Sequence, residues 1–228
     1  MRHLACIMDG NRRWAKEQCC PLIVAYQQGL KAVELAVDFC IAKHITHLSL
    51  FVFSLQNLKR ATEEKDILFM VVRQAVNEAF DFVHQRNVRV FFSGDLTQFP
   101  EDIQNMCENI EKKTNEATGL QLTLLFGYGA QEDVVQAVQC IARAVEQGIV
   151  RAQDVSHDML LSHLWTRHLP PPDLIMRTGD VKRLSNCFLY EAAYTELYFI
   201  PIMWPAVTMN DFENAYHFFI NTKRNFGM

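Results

Sequence analysis

Short apolar segments that alternate with helix-length segments are the feature that most constrains the fold of this chain. The apolar segments are rich in β-branched and aromatic residues and have the length of buried strands: Leu4 to Met8, Leu48 to Phe53, Val88 to Phe92, Leu120 to Phe126, Leu174 to Met176 and Leu197 to Phe199. The segments between them have the length of helices: Leu30 to Lys43, Glu63 to Gln85, Glu101 to Glu116, Glu132 to Gln147 and Ser156 to Leu164. This alternation predicts an α/β fold with a central, mostly parallel sheet flanked by helices.

Composition limits the number of domains and the kind of ligand. The chain has 228 residues, of which 50% are hydrophobic, enough for one sizeable core, so we expect a single domain over residues 1–228. The formal net charge is -4, which provides no basic field for nucleic acid. An anionic ligand would therefore have to be bound by a local group of cations.

The seven cysteines form no C-x-x-C pair, and most lie among apolar residues. Reduced thiols in a cytoplasmic protein fit this pattern best. No segment approaches the roughly 18 uninterrupted apolar residues of a membrane helix. The sequence thus predicts a soluble protein whose contact with a membrane, if any, is peripheral.

A polar segment follows the first predicted strand. It reads Asp9, Gly10, Asn11, Arg12, Arg13 and Trp14. In parallel sheets ligands bind beyond the carboxyl ends of the strands, which is where this segment falls. A carboxylate together with phosphate oxygens commonly holds Mg²⁺, and arginine forks bind phosphate. The alternative is an Asp-Gly turn followed by solvated arginines.

A second cationic segment follows the strand at Leu174 to Met176. It contains Arg177, Lys182, Arg183 and Ser185, which suit a diphosphate. Further along, Glu196 lies in apolar surroundings, where an ionised carboxylate needs a cation or donors nearby. Glu196 is thus a candidate second metal ligand, with a structural salt bridge as the alternative.

These segments resemble the cis-prenyltransferases. The family pattern H-x-x-x-I-M-D-G-N-x-R-W-A-K is nearly intact at His3 to Lys16, and R-T-G-x-x-x-R-x-S-N…Y-x-E-L-Y-F is present at Arg177 to Phe199. Phe53 to Arg60 and Gly119 to Val135 are also similar to family segments. The resemblance implies the cis-prenyltransferase fold, Mg²⁺ as cofactor, a homodimer, and prenyl diphosphate substrates (dimethylallyl, geranyl, farnesyl and isopentenyl diphosphate).

The resemblance also implies roles for individual residues. Asp9 would position Mg²⁺ on the diphosphate with help from Glu196, and Ser54 and Asn57 would lie near the reacting carbons. The predicted diphosphate-binding residues are Gly10, Asn11, Arg12, Arg13, Trp14, Arg60, Arg177, Arg183 and Ser185. An apolar slot for the hydrocarbon tail is expected along Ile67 to Val83, with Phe69, Phe80 and Phe82 facing Phe91 and Phe126.

Several positions depart from the family pattern. Leu22 and Tyr26 stand where the family has an arginine and a histidine, so a phosphate clamp and an imidazole are missing. Other departures are Arg12 for a glycine, Gln56 for a glutamate, Leu58 for a tryptophan, Asp180-Val181 for Gly-Glu, and Asn225 for an arginine. Bulky Leu125 and Phe126 stand where small residues are common and would line and shorten the slot for the hydrocarbon tail. A minority branch that resembles cyclolavandulyl and lavandulyl diphosphate synthases shows some of the same changes.

Three functions remain open at this point. The sequence favours cis condensation of an allylic diphosphate with isopentenyl diphosphate. The second is head-to-middle coupling of two dimethylallyl diphosphates, and the third is a weakly active or non-catalytic subunit, against which the presence of Asp9, Arg13, Arg177, Arg183 and Glu196 argues. A nucleotide-binding domain is disfavoured because no G-x-x-x-x-G-K-[ST] loop occurs.

Overall fold

The structure is a computed structural model of the chain. It describes residues 1–59 and 62–224, without the side chains of residues 59, 62–65 and 75–81. The predictions for Arg60, Phe80 and Asn225 therefore lie outside the described residues or side chains.

Six parallel strands form one sheet. They are β1 His3–Ile7, β2 His47–Ser54, β3 Arg89–Ser93, β4 Gln121–Tyr128, β5 Leu174–Arg177 and β6 Glu196–Phe199, in the order β3-β4-β2-β1-β5-β6. Every residue of β1 and β5 is buried, as expected for central strands covered on both faces. The predicted α/β class and each predicted strand are confirmed.

In the described part of the chain, seven helices surround the sheet: α1 Asn11–Glu17, α2 Leu22–Ala42, α3 Thr62–Gln85, α4 Glu101–Lys113, α5 Ala130–Glu146, α6 His157–His163 and α7 Met209–Asn221. The sequence predicts α2 only from Leu30, whereas the helix begins at Leu22 and includes Gly29. A Cβ at Gly29 would lie 3.0 Å from Asn11 Oδ1 and 3.2 Å from Trp204 Cδ1. The glycine thus permits close packing inside the helix.

Helix α7 was not predicted. Its amino terminus is a capping box in which the Thr208 hydroxyl and the Asp211 carboxylate bond reciprocally to the backbone. Phe212 is fully buried and stacks on Phe39 of α2, with ring centroids 5.5 Å apart. The pattern T-x-x-D before an apolar run is the sequence signal for this helix.

The apolar core lies on both faces of the sheet. The larger cluster joins β1, β2 and β5 to α2 and α7 through residues such as Leu48, Met176 and Phe212. A smaller cluster on the opposite face contains Tyr128, Ile175 and Phe188. The two layers fix the sheet so that the loops after β1, β2, β4 and β5 meet at its carboxyl edge. Among the described residues, none of the helices combines the length and the apolar character needed to cross a membrane.

A buried histidine in β1 makes stability depend on pH. The His3 ring bonds to the Pro170 carbonyl through Nδ1 at 2.7 Å and to Ser49 Oγ through Nε2 at 2.8 Å. Burial lowers the pKa of His3 to about 4. Between about pH 6.5 and about pH 4 the unfolded chain binds a proton that the folded chain does not, so acidification should remove roughly 3 kcal/mol of stability.

Urea unfolding across this pH range measures the effect. We expect His3→Asn to be less stable at neutral pH but to lose less stability on acidification, with His44→Asn, at an exposed histidine, as the control. Asp133 acts in the opposite direction, since burial raises its pKa to about 6, but it is unchanged in both variants. Equal pH slopes in wild type and His3→Asn would contradict the prediction.

Candidate active site

Asp9 lies in the loop after β1, and hydrogen bonds to its main-chain carbonyl hold it in place. The Asp9 carbonyl accepts hydrogen bonds from Thr178 Oγ1 at 2.7 Å and from Trp204 N at 3.0 Å. Gly10 has a φ of 113°, and a Cβ there would lie 2.8 Å from Met203 Cβ. Only glycine fits this turn without strain. The carboxylate is thereby held at the carboxyl edge of the sheet.

Arg177, the last residue of β5, connects Asp9 with the second cationic loop. Its side chain is only 4% exposed. Nη2 donates to Asp9 Oδ2 at 2.8 Å, while Nη1 donates to Ser185 Oγ at 2.8 Å and to the Arg183 carbonyl. The buried Nε has no hydrogen-bond partner among the described residues. One guanidinium therefore organises the two loops that the sequence assigns to diphosphate binding.

Asn11 and Arg13 complete this corner of the site. Asn11 Nδ2 donates to the Met8 carbonyl at 3.2 Å, and its buried Oδ1 has no partner among the described residues. Arg13 Nη2 lies 3.4 Å from Asp9 Oδ1 and is largely exposed. A Cβ at Gly179 would lie 2.5 Å from Arg13 Nη2, so this glycine leaves room for the guanidinium.

Ser54 and Asn57 form a closed turn after β2. Ser54 N donates to Asn57 Oδ1 at 3.0 Å, and Asn57 N donates to Ser54 Oγ at 3.2 Å. These reciprocal bonds hold both side chains on the wall of the same cavity as Asp9. The turn and Asp9 thus face one cavity, and the predicted role of Ser54 and Asn57 near the reacting carbons stays a prediction.

The polar cavity, with a volume of about 630 Å³, brings most of the predicted site residues together. Its wall includes Asp9, Gly10, Asn11, Arg12, Arg13, Ser54, Asn57, Arg177 and Ser185. Trp14 is not part of this wall, although Lys16, two residues farther along α1, is. Arg183 contributes its carbonyl to Arg177, while its side chain is exposed and also outside the wall.

The apolar cavity, of about 460 Å³, adjoins the polar one. The two share the residues Met8, Asn11, Tyr26, Phe51, Val52 and Leu68. Its deeper wall includes Phe82, Phe92 and Phe126. A space that is charged at one end and apolar at the other suits an amphipathic ligand.

Some of the predicted lining of this slot is wrong. Phe91 faces the other side of the sheet, where it lies 4.6 Å from the His168 ring, because side chains alternate along β3. Leu125 likewise points to the opposite face of β4, and Leu124 and Phe126 line the cavity instead. Phe69 packs against Phe53 and Phe99.

Glu196 does not meet Asp9 within one chain. It is the first residue of β6, and the register aligns it with Leu174 and, through β5, with Leu4. Ile7, which precedes the Asp9 loop, is three residues farther along β1, a distance of roughly 10 Å along the strand. A metal site that uses both carboxylates is therefore not formed by this chain alone, and the role of Glu196 stays a prediction.

The structure adds residues that the sequence analysis missed. Lys16 lies one helical turn after Arg12 and also lines the polar cavity, a spacing that α1 makes visible in the sequence. Thr178 and Trp204 hold the Asp9 backbone, and Trp204 Nε1 also donates to the Gly29 carbonyl at 2.9 Å. The contacts of Trp204 join segments far apart in sequence, so no local pattern indicates them.

The donor set fits a Mg²⁺ ion that binds together with a diphosphate. Asp9 provides one half-buried carboxylate, and no cluster of three or more His, Cys, Asp or Glu residues that suits a metal occurs in the described part of the chain. Mg²⁺ is commonly held by one or two carboxylates plus substrate phosphates. Arg12, Arg13 and Lys16 on the same wall supply the charge that such a diphosphate requires.

The fold and the site together define a class: an α/β protein with a polar, cationic cavity at the carboxyl edge of a parallel sheet and an apolar cavity beside it. Residues 7–227 match the prenyltransferase family described as "Putative undecaprenyl diphosphate synthase". The chain belongs to this family and is a prenyltransferase.

Individual relatives agree with this assignment. The ditrans,polycis-undecaprenyl-diphosphate synthase of Salmonella typhimurium is 37% identical over 226 residues, covering 99% of this chain and 90% of that protein. Lavandulyl diphosphate synthase from Lavandula x intermedia, solved with dimethylallyl diphosphate, superposes with a TM-score of 0.97 at 29% identity, over 100% of this chain and 98% of that one. A probable undecaprenyl diphosphate synthase from Campylobacter jejuni gives 0.83 at 30% identity, over 100% and 99%.

Proposed function

We propose that this prenyltransferase condenses an allylic prenyl diphosphate with isopentenyl diphosphate in the cis configuration, releases diphosphate and requires Mg²⁺. The observation that carries the proposal is the continuity of the polar and apolar cavities through six shared residues. A diphosphate beside Asp9 and Arg177 can extend its hydrocarbon tail past Tyr26 and Phe51 into the apolar cavity. Neither cavity by itself would accommodate such a substrate.

The reaction requires charge stabilisation more than proton transfer at the departing diphosphate. Arg13 and the Asn11 amide are placed to hold the allylic diphosphate, and Arg177 and Ser185 to hold that of the second substrate. Guanidiniums fixed in a partly desolvated cavity stabilise the charge that develops as the allylic carbon–oxygen bond breaks. Ser54 and Asn57, on the facing wall, would orient the reacting carbons.

Asp9 is the residue that would hold the metal. Within the described part of the chain, its Oδ1 is bonded only by the exposed Arg13 at 3.4 Å, which leaves this oxygen more available than Oδ2. When bound, Mg²⁺ neutralises charge on the diphosphate and so favours its departure. Asp9 accepts a hydrogen bond from Arg177, so it would hold the diphosphate close to the Arg177 guanidinium.

Head-to-middle coupling of two dimethylallyl diphosphates is the second candidate. It is favoured by the higher TM-score with lavandulyl diphosphate synthase, 0.97 against 0.83, and by Leu22 and Tyr26 in place of an arginine and a histidine. Identity of 37% with the undecaprenyl-diphosphate synthases favours elongation. The third possibility, a subunit with little activity, conflicts with the intact Asp9–Arg177 pair.

We further propose a homodimer that works in the cytoplasm and contacts membranes only peripherally. The edge strand β6 and its flanks expose apolar side chains, including Tyr194 at 75%, Leu197 and Ile202. Such a surface is usually covered by a partner. A second copy would also be needed to bring a Glu196 to a metal site.

The proposed cytoplasmic location is supported by the cysteines. All seven are free, which suits a reducing compartment.

Product analysis tests the proposed function. Purified protein with Mg²⁺ is incubated with dimethylallyl or farnesyl diphosphate, each with and without isopentenyl diphosphate, and products are identified by mass spectrometry. Products that require isopentenyl diphosphate would support elongation and give the chain length. Coupled products from dimethylallyl diphosphate alone would support the second candidate, and no product in any mixture would overturn both.

Restoring the missing clamp should increase the use of isopentenyl diphosphate. Leu22 begins α2, and Tyr26 lies one turn later on the wall of both cavities. Leu22→Arg with Tyr26→His adds a guanidinium and an imidazole there, and we expect kcat/KM for isopentenyl diphosphate to rise roughly tenfold. Leu22→Met with Tyr26→Phe, which adds no charge, is the matched control. An equal change in both double variants would mean that the clamp does not limit the reaction.

A further inference from the structure

Glu132, in the first turn of α5, contacts two loops at once. Its Oε1 accepts a hydrogen bond from Gln56 Nε2 at 3.2 Å, and its Oε2 accepts one from Asn186 Nδ2 at 2.7 Å. Gln56 belongs to the turn that holds Ser54 and Asn57. Asn186 follows Ser185 in the second cationic loop, residues 177–186, which we call the diphosphate loop. None of the three residues Gln56, Glu132 and Asn186 is part of the polar cavity wall. Glu132 can therefore influence the site only through its neighbours.

Asn186 anchors the diphosphate loop to the amino terminus of α5. Its carbonyl accepts from Ala130 N at 2.9 Å, and its Oδ1 accepts from Gln131 N at 2.8 Å. Because Oδ1 faces a backbone N–H, the amide Nδ2 must face Glu132. All three hydrogen bonds of Asn186 thus connect to the start of one helix.

The backbone of this loop needs external support. Ser185 and Asn186 both have positive φ values, 52° and 64°. Two successive non-glycine residues in the left-handed region are unfavourable unless surrounding contacts hold them. Arg177 bonds to Ser185 Oγ on one side, and Glu132, Ala130 and Gln131 hold Asn186 on the other.

Gly129 provides the space that this arrangement requires. A Cβ at Gly129 would lie 2.2 Å from Glu132 Oε2 and 2.8 Å from Asn186 Nδ2. Any larger residue would displace the carboxylate–amide pair. The backbone at the end of β4 is thus shaped around the contact between Glu132 and Asn186.

We propose that Glu132 is a positioning residue that fixes the spacing between the Ser54–Asn57 turn and the diphosphate loop, through Gln56 on one side and Asn186 on the other. Ser185 is thereby held within reach of Arg177 and of a bound diphosphate. This inference rests on the proposed function, because it assumes that a diphosphate binds between these two walls.

The pair Gln56–Glu132 allows a sharp test, because its two members can be exchanged. Glu132→Ala removes both acceptors, whereas Glu132→Gln alone is accommodated, because the exposed Gln56 amide can rotate so that its oxygen accepts from the amide at 132. Gln56→Glu places two carboxylates in contact. The double variant restores a complementary set, in which Glu at 56 accepts from the amide at 132 and the oxygen of that amide accepts from Asn186.

The experiment measures binding of inorganic diphosphate by calorimetry in the presence of Mg²⁺. We expect Glu132→Ala and Gln56→Glu each to weaken binding about tenfold, and Gln56→Glu combined with Glu132→Gln to return to within about twofold of wild type. Hydrogen exchange at the Ala130 and Gln131 amides should accelerate in Glu132→Ala and in Gln56→Glu, and should recover in the double variant. Glu146→Gln with Gln147→Glu, at the exposed far end of α5, is the matched control and should not change binding.

The outcomes separate this inference from the proposed function. Unchanged binding in the single variants, or a double variant as weak as the worse single one, would overturn the positioning role. A lower melting temperature with unchanged diphosphate affinity would also overturn it, since it would indicate a purely structural contact. If the wild-type chain binds no diphosphate at all, the proposed function fails and the inference fails with it.

Discussion

Replacing Asp9 by asparagine is expected to reduce turnover about a thousandfold, because the variant lacks the only carboxylate that the described residues place on the polar cavity wall. The fold should remain intact. The hydrogen bonds from Thr178 and Trp204 go to the main-chain carbonyl of residue 9, which the substitution does not alter. The asparagine oxygen can still accept from Arg177, so the loss of stability should be limited to about 2 kcal/mol.

Turnover is measured with the substrates identified by product analysis, over a range of Mg²⁺ concentrations. Asp154→Asn makes the same chemical change in an exposed ion pair with Arg151 and should leave the rate unchanged. Partial recovery of Asp9→Asn at high Mg²⁺ would agree with a weakened metal site. A rate within tenfold of wild type would rule out Asp9 as the metal anchor.

Arg177→Lys is expected to lower kcat/KM about a hundredfold, although it preserves the charge. A guanidinium donates to Asp9 and, through its other nitrogen, to Ser185 and the Arg183 carbonyl. A lysine ammonium at this buried position can reach one side or the other but cannot bridge both. The Asp9 carboxylate and the diphosphate loop should therefore lose their fixed relation.

Steady-state kinetics with both substrates varied, together with urea unfolding, measure this change. The matched control is Arg151→Lys, since Arg151 makes a two-pronged ion pair with Asp154, at 2.6 and 3.0 Å, and lies on the wall of neither cavity. If the control lowers kcat/KM as much as Arg177→Lys, the loss reflects general instability. Near-normal kinetics for Arg177→Lys would show that the bridging geometry is not required.

The predicted fold was accurate where signals were local. The parallel strands are buried on both faces, so they appear as uninterrupted apolar runs such as Leu4 to Met8. Helix boundaries were less predictable. Gly29 lies inside α2, where Trp204 and Asn11 pack against it. Trp204 is 175 residues away, so the sequence around Gly29 does not indicate this contact.

The candidate site was also predictable only in part. Asp9, Asn11 and Arg13 lie within six residues of the end of β1, and Arg177 is the last residue of β5. The topology of a parallel sheet alone therefore brings them to one edge. Phe91 and Leu125 were assigned to the wrong face, because the register of a strand decides which of two neighbouring side chains points into a cavity. Glu196 was grouped with Asp9, whereas the register of β6 separates them.

Sequence by itself determined the fold class, the strands and the chemical identity of the groups on the polar cavity wall, because these depend on residue type and on short-range periodicity. Tertiary structure alone decided that Arg177 bridges Asp9 to Ser185, that the polar and apolar cavities are continuous, and that Glu132 links two loops 130 residues apart. The reason is physical: each of these features depends on side-chain direction and on distances of about 3 Å between groups far apart in the chain. Such distances are set by the packing of the whole molecule around them.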